Sequence, residues 1–152
     1  MDRQSKYKGT DTFCFHNANP KNRLTTGDCV LRAVSLATGC TWDETLDSLV
    51  VVAHKMKYAP LDDGCYDRHL IGKGFFKMKQ PRKSDGTKYT GSEFCQYLQE
   101  KSLLDGRCYS VVAHIGGHHI VAIQRADGRY KVHDTWDSTD GCIGNYWIKE
   151  MV

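Results

Sequence analysis

The spacing of the hydrophobic residues changes once along this chain, and that change limits the fold more than any single motif. Up to about residue 105 the apolar residues recur at helical spacing; from Cys108 onward they fall in short β-rich runs separated by turn chemistry. Val30, Ala33, Val34 and Ala37 lay an apolar stripe along one face of a helix over Cys29–Thr38, with Gly39 as its stop. Thr41-Trp42-Asp43-Glu44 and Thr90-Gly91-Ser92-Glu93 each fit a capping box. In that motif a Thr hydroxyl takes the backbone N–H three residues on, and a Glu carboxylate reaches back. The first box opens a helix to about Lys57, and the second a helix with Phe94, Tyr97 and Leu98 on one face. Between them the pattern predicts a short helix over 66–73 closed by Gly74, then a short extended piece over 75–79. The later half predicts strands over 108–113, 119–123, Arg129–Asp134 and 145–152, with Asp127-Gly128 turning a hairpin. Residues 13–20 predict one more short extended piece. Helices first and an antiparallel sheet afterwards is an α+β order rather than a βαβ one. The polar residues 1–12 read as a flexible N-terminus and 13–152 as a single domain, long enough to bury a real core.

Charge narrows the range of functions. A formal net charge of +3, from 21 basic and 18 acidic residues, gives weak footing for a nucleic-acid binder. The basic run 73–83, with Phe75 and Phe76 interleaved, is the one stretch suited to such a partner or to an acidic protein; its plainer reading is a solvated loop beside a strand. No apolar run approaches the roughly 18 residues of a membrane helix, and the start of the chain shows no apolar export signal. Seven irregularly spaced cysteines without a C-x-x-C pair then read as reduced thiols in a cytoplasmic compartment.

One of those cysteines is placed for chemistry. In Gly27-Asp28-Cys29 the Asp is a good N-cap and the Cys falls in the first helical turn, where unpaired N–H groups and the helix dipole favour a thiolate. Taken alone, Cys29 reads first as the small buried hydrophobe that starts a core helix. A catalytic thiol also needs a base, and the base an orienting acceptor. His119 begins one strand of the hairpin and Asp134 ends the next, so the two lie at the same end of the pair. His114, His118, His119 and His133 raise zinc as a rival, but His114-x-x-x-His118 spans Gly116-Gly117 and cannot rest on a stiff helix. No metal and no cofactor is called for.

Gly27-Asp28-Cys29 opening a helix, Gly117-His118-His119-Ile120-Val121-Ala122-Ile123 on a strand and Asp134-Thr135-Trp136 on the next resemble the papain-like cysteine peptidase superfamily. The size is closer to its small bacterial and phage members, such as the C39-like and NlpC/P60 proteins. The motif Gly27-Asp28-Cys29-Val30-Leu31-Arg32-Ala33 also looks like a group of small phage-encoded proteins. The resemblance implies a papain-like fold, with N-terminal helices packed on a C-terminal antiparallel sheet and the central helix starting at the Cys. It implies a thiol hydrolase acting on an amide or isopeptide bond of a peptide or protein, through a Cys-His-Asp triad and a thioester. Cys29 would be the nucleophile, His119 the base and acid, Asp134 the orienter, and Trp136 and Asp28 supporting residues. The Cys29 N–H would be one oxyanion donor. Arg23 stands where the family has a Gln, so Asn19, held by Pro20, is taken as the second, with Asn17 and Asn22 as neighbouring alternatives. The other reading is a non-catalytic binding module on the same fold, for a protein or nucleic-acid partner.

Overall fold

A computed structural model describes residues 8–151. Within them, β1 (Phe13–Phe15) precedes three helices, α1 (Cys29–Thr38), α2 (Trp42–Met56) and α3 (Asp63–Gly72). Then come β2 (Phe76–Met78), α4 (Gly91–Asp105) and four strands, β3 (Cys108–Ile115), β4 (His119–Ala126), β5 (Arg129–Asp134) and β6 (Ile143–Met151). Both capping boxes form with both bonds present, Thr41 with Glu44 and Thr90 with Glu93. Gly39 stops α1 in the left-handed conformation. Asp127 and Gly128 take φ of 57° and 78°, the pair of positive angles that a type I′ hairpin turn requires. Residues 1–7 of the stretch read as flexible lie outside the described residues; Thr10 and Thr12 are hydrogen-bonded to Phe13 and Ser92.

The six strands form one sheet in the order β1-β5-β4-β3-β6-β2. This is α+β, but it corrects the expected architecture in two respects. The sheet is mixed, because β1 runs parallel to β5, and its two outer strands come from the part of the chain before α4. Strands of three residues are too short to show a period, which is why the sequence pattern leaves their pairing open. The helices, moreover, cover both faces. Val112, Ile120, Ala122 and Trp147 pack with α1–α3, whereas Val111, Ala113, Val121, Ile123 and Val132 pack with Phe94 and Leu98 of α4. The alternation along β3 and β4 is that of strands buried on both sides.

That burial explains α1. Val30, Leu31, Arg32, Ala33, Val34, Ser35 and Ala37 are all buried, so the helix is enclosed on nearly every side. Enclosure fixes its first residue, Cys29, against the end of the sheet. The β4–β5 register pairs Ala122 with His133 and Ile123 with Val132. Continued past the paired residues, it sets Val121 opposite Asp134 and His119 opposite Trp136. His119 and Asp134 are therefore diagonal neighbours of the same parity, with side chains on the same face of the pair.

Candidate active site

Three elements meet at this end of the sheet: the start of α1, the start of β4 and the end of β5. The His119 Nε2–H donates to Asp134 Oδ2 at 2.7 Å. That bond fixes the ring and leaves Nδ1 for Cys29, with which the imidazole also interacts. Trp136 stacks on the ring with centroids 5.3 Å apart and planes 30° from parallel. At 43% exposed it is a cover over the imidazole rather than a core residue.

The electrostatics favour an ion pair. Burial works against a charged His119, but hydrogen bonding to Asp134 and Cys29 and the charges of both outweigh it, raising its pKa to about 9. Burial likewise works against a Cys29 thiolate. Hydrogen bonds from His119 and from the Ile120 N–H, with the charges of His119 and Arg32, outweigh it and hold the thiol below its ordinary range. Both shifts stabilise thiolate–imidazolium over thiol–imidazole.

Asp134 is itself held on every side. Its Oδ2 also accepts the Ser138 hydroxyl at 2.7 Å, and its Oδ1 accepts the Thr135 N–H at 2.7 Å. Arg32 Nη2 stands 3.9 Å from Oδ1. The other arm of Arg32 forms an ion pair with Asp28 four residues earlier. Asp28 Oδ2 also accepts Asn19 Nδ2–H at 3.0 Å and Trp42 Nε1–H at 2.9 Å. Burial would raise the Asp28 carboxyl, but these two donors and the Arg32 charge hold it below the usual carboxylate range. The guanidinium, 8% exposed, thus joins the residue before the nucleophile to the residue that orients the base.

One expectation from the sequence changes here. Asp28 does not cap α1 through its side chain; a buried carboxylate gains more from a guanidinium and two N–H donors than from one backbone amide. Asn19, taken as the second oxyanion donor, gives one of its two Nδ2–H groups to Asp28, and its Oδ1 accepts the Lys21 N–H at 2.9 Å. Its place is in holding Asp28. Asn17 donates to the Arg23 carbonyl at 3.1 Å. The Cys29 backbone N–H, at the first turn of α1, keeps its expected position.

Arg32, Ser138 and the indole N–H of Trp42 complete the network and were missed by the sequence reading. For Arg32 a signal existed: it is the one charge within an otherwise uncharged helix, at i+4 from Asp28. Ser138 carried none. His114 is not a metal ligand here: its Nε2 contacts the Tyr66 hydroxyl at 3.3 Å, and that hydroxyl donates to Asp63 Oδ1 at 2.5 Å. Among the described residues no group of three or more His, Cys, Asp or Glu is gathered to hold a metal, and no helix is long and apolar enough to cross a membrane. In the basic run, Lys77 lies near Asp67 and Lys83 is paired with Glu93, so two of its charges have acidic partners within the chain, and Arg82 donates to the neutral Gln80.

Fold and site together define a class: an α+β protein with a cysteine at a central helix N-terminus beside a hydrogen-bonded histidine–aspartate pair. Comparison of the chain with protein-family models, with curated proteins and with solved structures finds no match.

Proposed function

We propose that the protein is a thiol-dependent amide hydrolase of the papain-like kind, with Cys29 as nucleophile, His119 as acid and base and Asp134 as orienter. The observation that carries this reading is the placement of His119 between Cys29 and Asp134, with its own pKa raised and that of the thiol lowered. A histidine that merely packs at a strand end would gain nothing from a saturated carboxylate behind it and a sulfur in front.

In the proposed reaction the Cys29 thiolate attacks the carbonyl carbon of the substrate amide. The C–S bond forms, and the negative charge moves to the carbonyl oxygen, which the Cys29 N–H receives. The His119 imidazolium gives its proton to the amide nitrogen, the C–N bond breaks, and an amine leaves behind a thioester. Neutral His119 then takes a proton from water as its oxygen attacks the thioester carbon. Collapse releases the carboxylic acid and restores thiolate and imidazolium. Asp134 keeps Nε2 protonated throughout, so that Nδ1 carries the transferred proton. Trp136 shields one face of the ring from water.

Labelling with electrophilic peptide probes tests the proposal. Wild-type protein is expected to be modified at Cys29 alone among its seven cysteines, and the Cys29→Ala variant not at all while keeping its circular dichroism. Equal labelling of the variant would refute the assignment.

A further inference from the structure

A cavity of about 540 Å³ opens beside the start of α1, between the loop before it and the first turn of α2. Gly27 and Asp28 form part of its wall. These are the two residues that lead directly into Cys29. Its lining is mainly apolar: Leu31 is buried at the base, the Trp42 indole lies alongside, and Leu61 contributes a side chain still 39% exposed. Lys21 and Arg23 stand on its rim, and neither is in an ion pair among the described residues. Of the acids at the wall, Asp28 is neutralised by Arg32, and Asp43 sits in the first turn of α2, where the helix dipole offsets its charge. An apolar hollow with a cationic rim is complementary to an apolar group next to an anion.

We infer that this cavity is a substrate subsite that takes a bulky apolar side chain, aliphatic or aromatic, adjoining a carboxylate that Lys21 and Arg23 receive. The inference rests on the amide-hydrolase reading and extends it to the class of substrate: a peptide with a large apolar residue beside an acidic one, close to the bond cleaved. Because Trp42 donates to Asp28, a filled cavity also presses on the pair that anchors Arg32.

The test uses the full chain carrying Cys29→Ala, so that binding is read without turnover. N-acetyl-Phe-Glu amide and N-acetyl-Ala-Lys amide are titrated while the indole N–H resonance of Trp42 is followed. The Phe-Glu dipeptide is expected to shift that resonance saturably, and to bind at least about tenfold more tightly than Ala-Lys, the scale on which apolar pockets discriminate. Leu61→Asp is expected to abolish the difference. Charge reversal at Lys21 and Arg23 together is expected to narrow the difference by weakening the binding of the Phe-Glu dipeptide. An unmoved Trp42 resonance, or equal affinity for the two dipeptides, overturns the subsite. Iodoacetamide reactivity of wild-type Cys29, measured alongside, separates the two claims. A fast-reacting Cys29 with no dipeptide binding sinks only the subsite, whereas binding beside a slow, ordinary thiol sinks both the subsite and the hydrolase reading.

Discussion

Replacing Arg32 with methionine is expected to lower the stability of the protein by about 3–5 kcal/mol, the cost of stripping the partner from a buried charge. Methionine fills much of the same volume, so the loss does not come from a cavity. It comes from Asp28 and Asp134, each 3% exposed, which lose the one cation between them. Asp28 keeps its bonds from Asn19 and Trp42, and Asp134 those from His119, Thr135 and Ser138. The fold is therefore weakened rather than abolished. Arg32→Lys restores the charge but cannot reach two carboxylates with a planar fork, so its stability is expected between that of Met and wild type. Urea denaturation measures the series. A midpoint for Arg32→Met within experimental error of the wild type would mean that the two carboxylates do not depend on the guanidinium.

The second large effect is on chemistry. His119→Ala is expected to reduce amide turnover by about 10²–10⁴-fold, the usual contribution of a positioned acid–base. The His119 side chain is 21% exposed, so its removal empties little of the core. The stability change has a distinctive pH dependence. In the folded protein the His119 pKa lies at about 9, above the ordinary value of 6.5 that the unfolded chain has. Protonation therefore favours the folded state. The stability that wild type holds over His119→Ala is complete below about pH 6.5 and is lost as pH rises through about 9. Denaturation midpoints of the two proteins at pH 6, 8 and 10 check this. A difference that stays constant, or grows with pH, would show that His119 is not an imidazolium held between Cys29 and Asp134.

How far the sequence discloses this site follows from which of its parts are local. Helix α1 was legible because Gly39 and the Val30–Ala37 stripe mark it within a dozen residues. The meeting of His119 and Asp134 was legible because Asp127-Gly128 fixes the hairpin register, and register fixes every later neighbour. What stayed hidden depends on pairings between distant segments. Nothing near Phe13 announces a parallel partner at Val132, and nothing near α4 says that it lies on the face opposite α1. Asp28 holds the N-cap position, but its side chain does not cap the helix, for a related reason. Locally it looks like a helix cap, but the fold brings Asn19, Trp42 and Arg32 around it, and three donors outcompete one amide. Trp136, expected as a supporting residue, lies exposed on the ring of His119.

The rate at which iodoacetamide alkylates Cys29 as a function of pH, read by site-resolved mass spectrometry, addresses the central claim directly. Cys142, an exposed thiol in the same molecule, is the internal comparison. An ordinary thiol with a pKa near 8.5 is about 1% thiolate or less at pH 6. Cys29 is expected to react faster than Cys142 at pH 6, along a curve displaced to lower pH, and to lose this behaviour in His119→Ala. If instead Cys29 reacts no faster than Cys142 at pH 6 and follows the curve of an ordinary thiol, the pair is thiol and imidazole, and the site is not the nucleophilic centre proposed here.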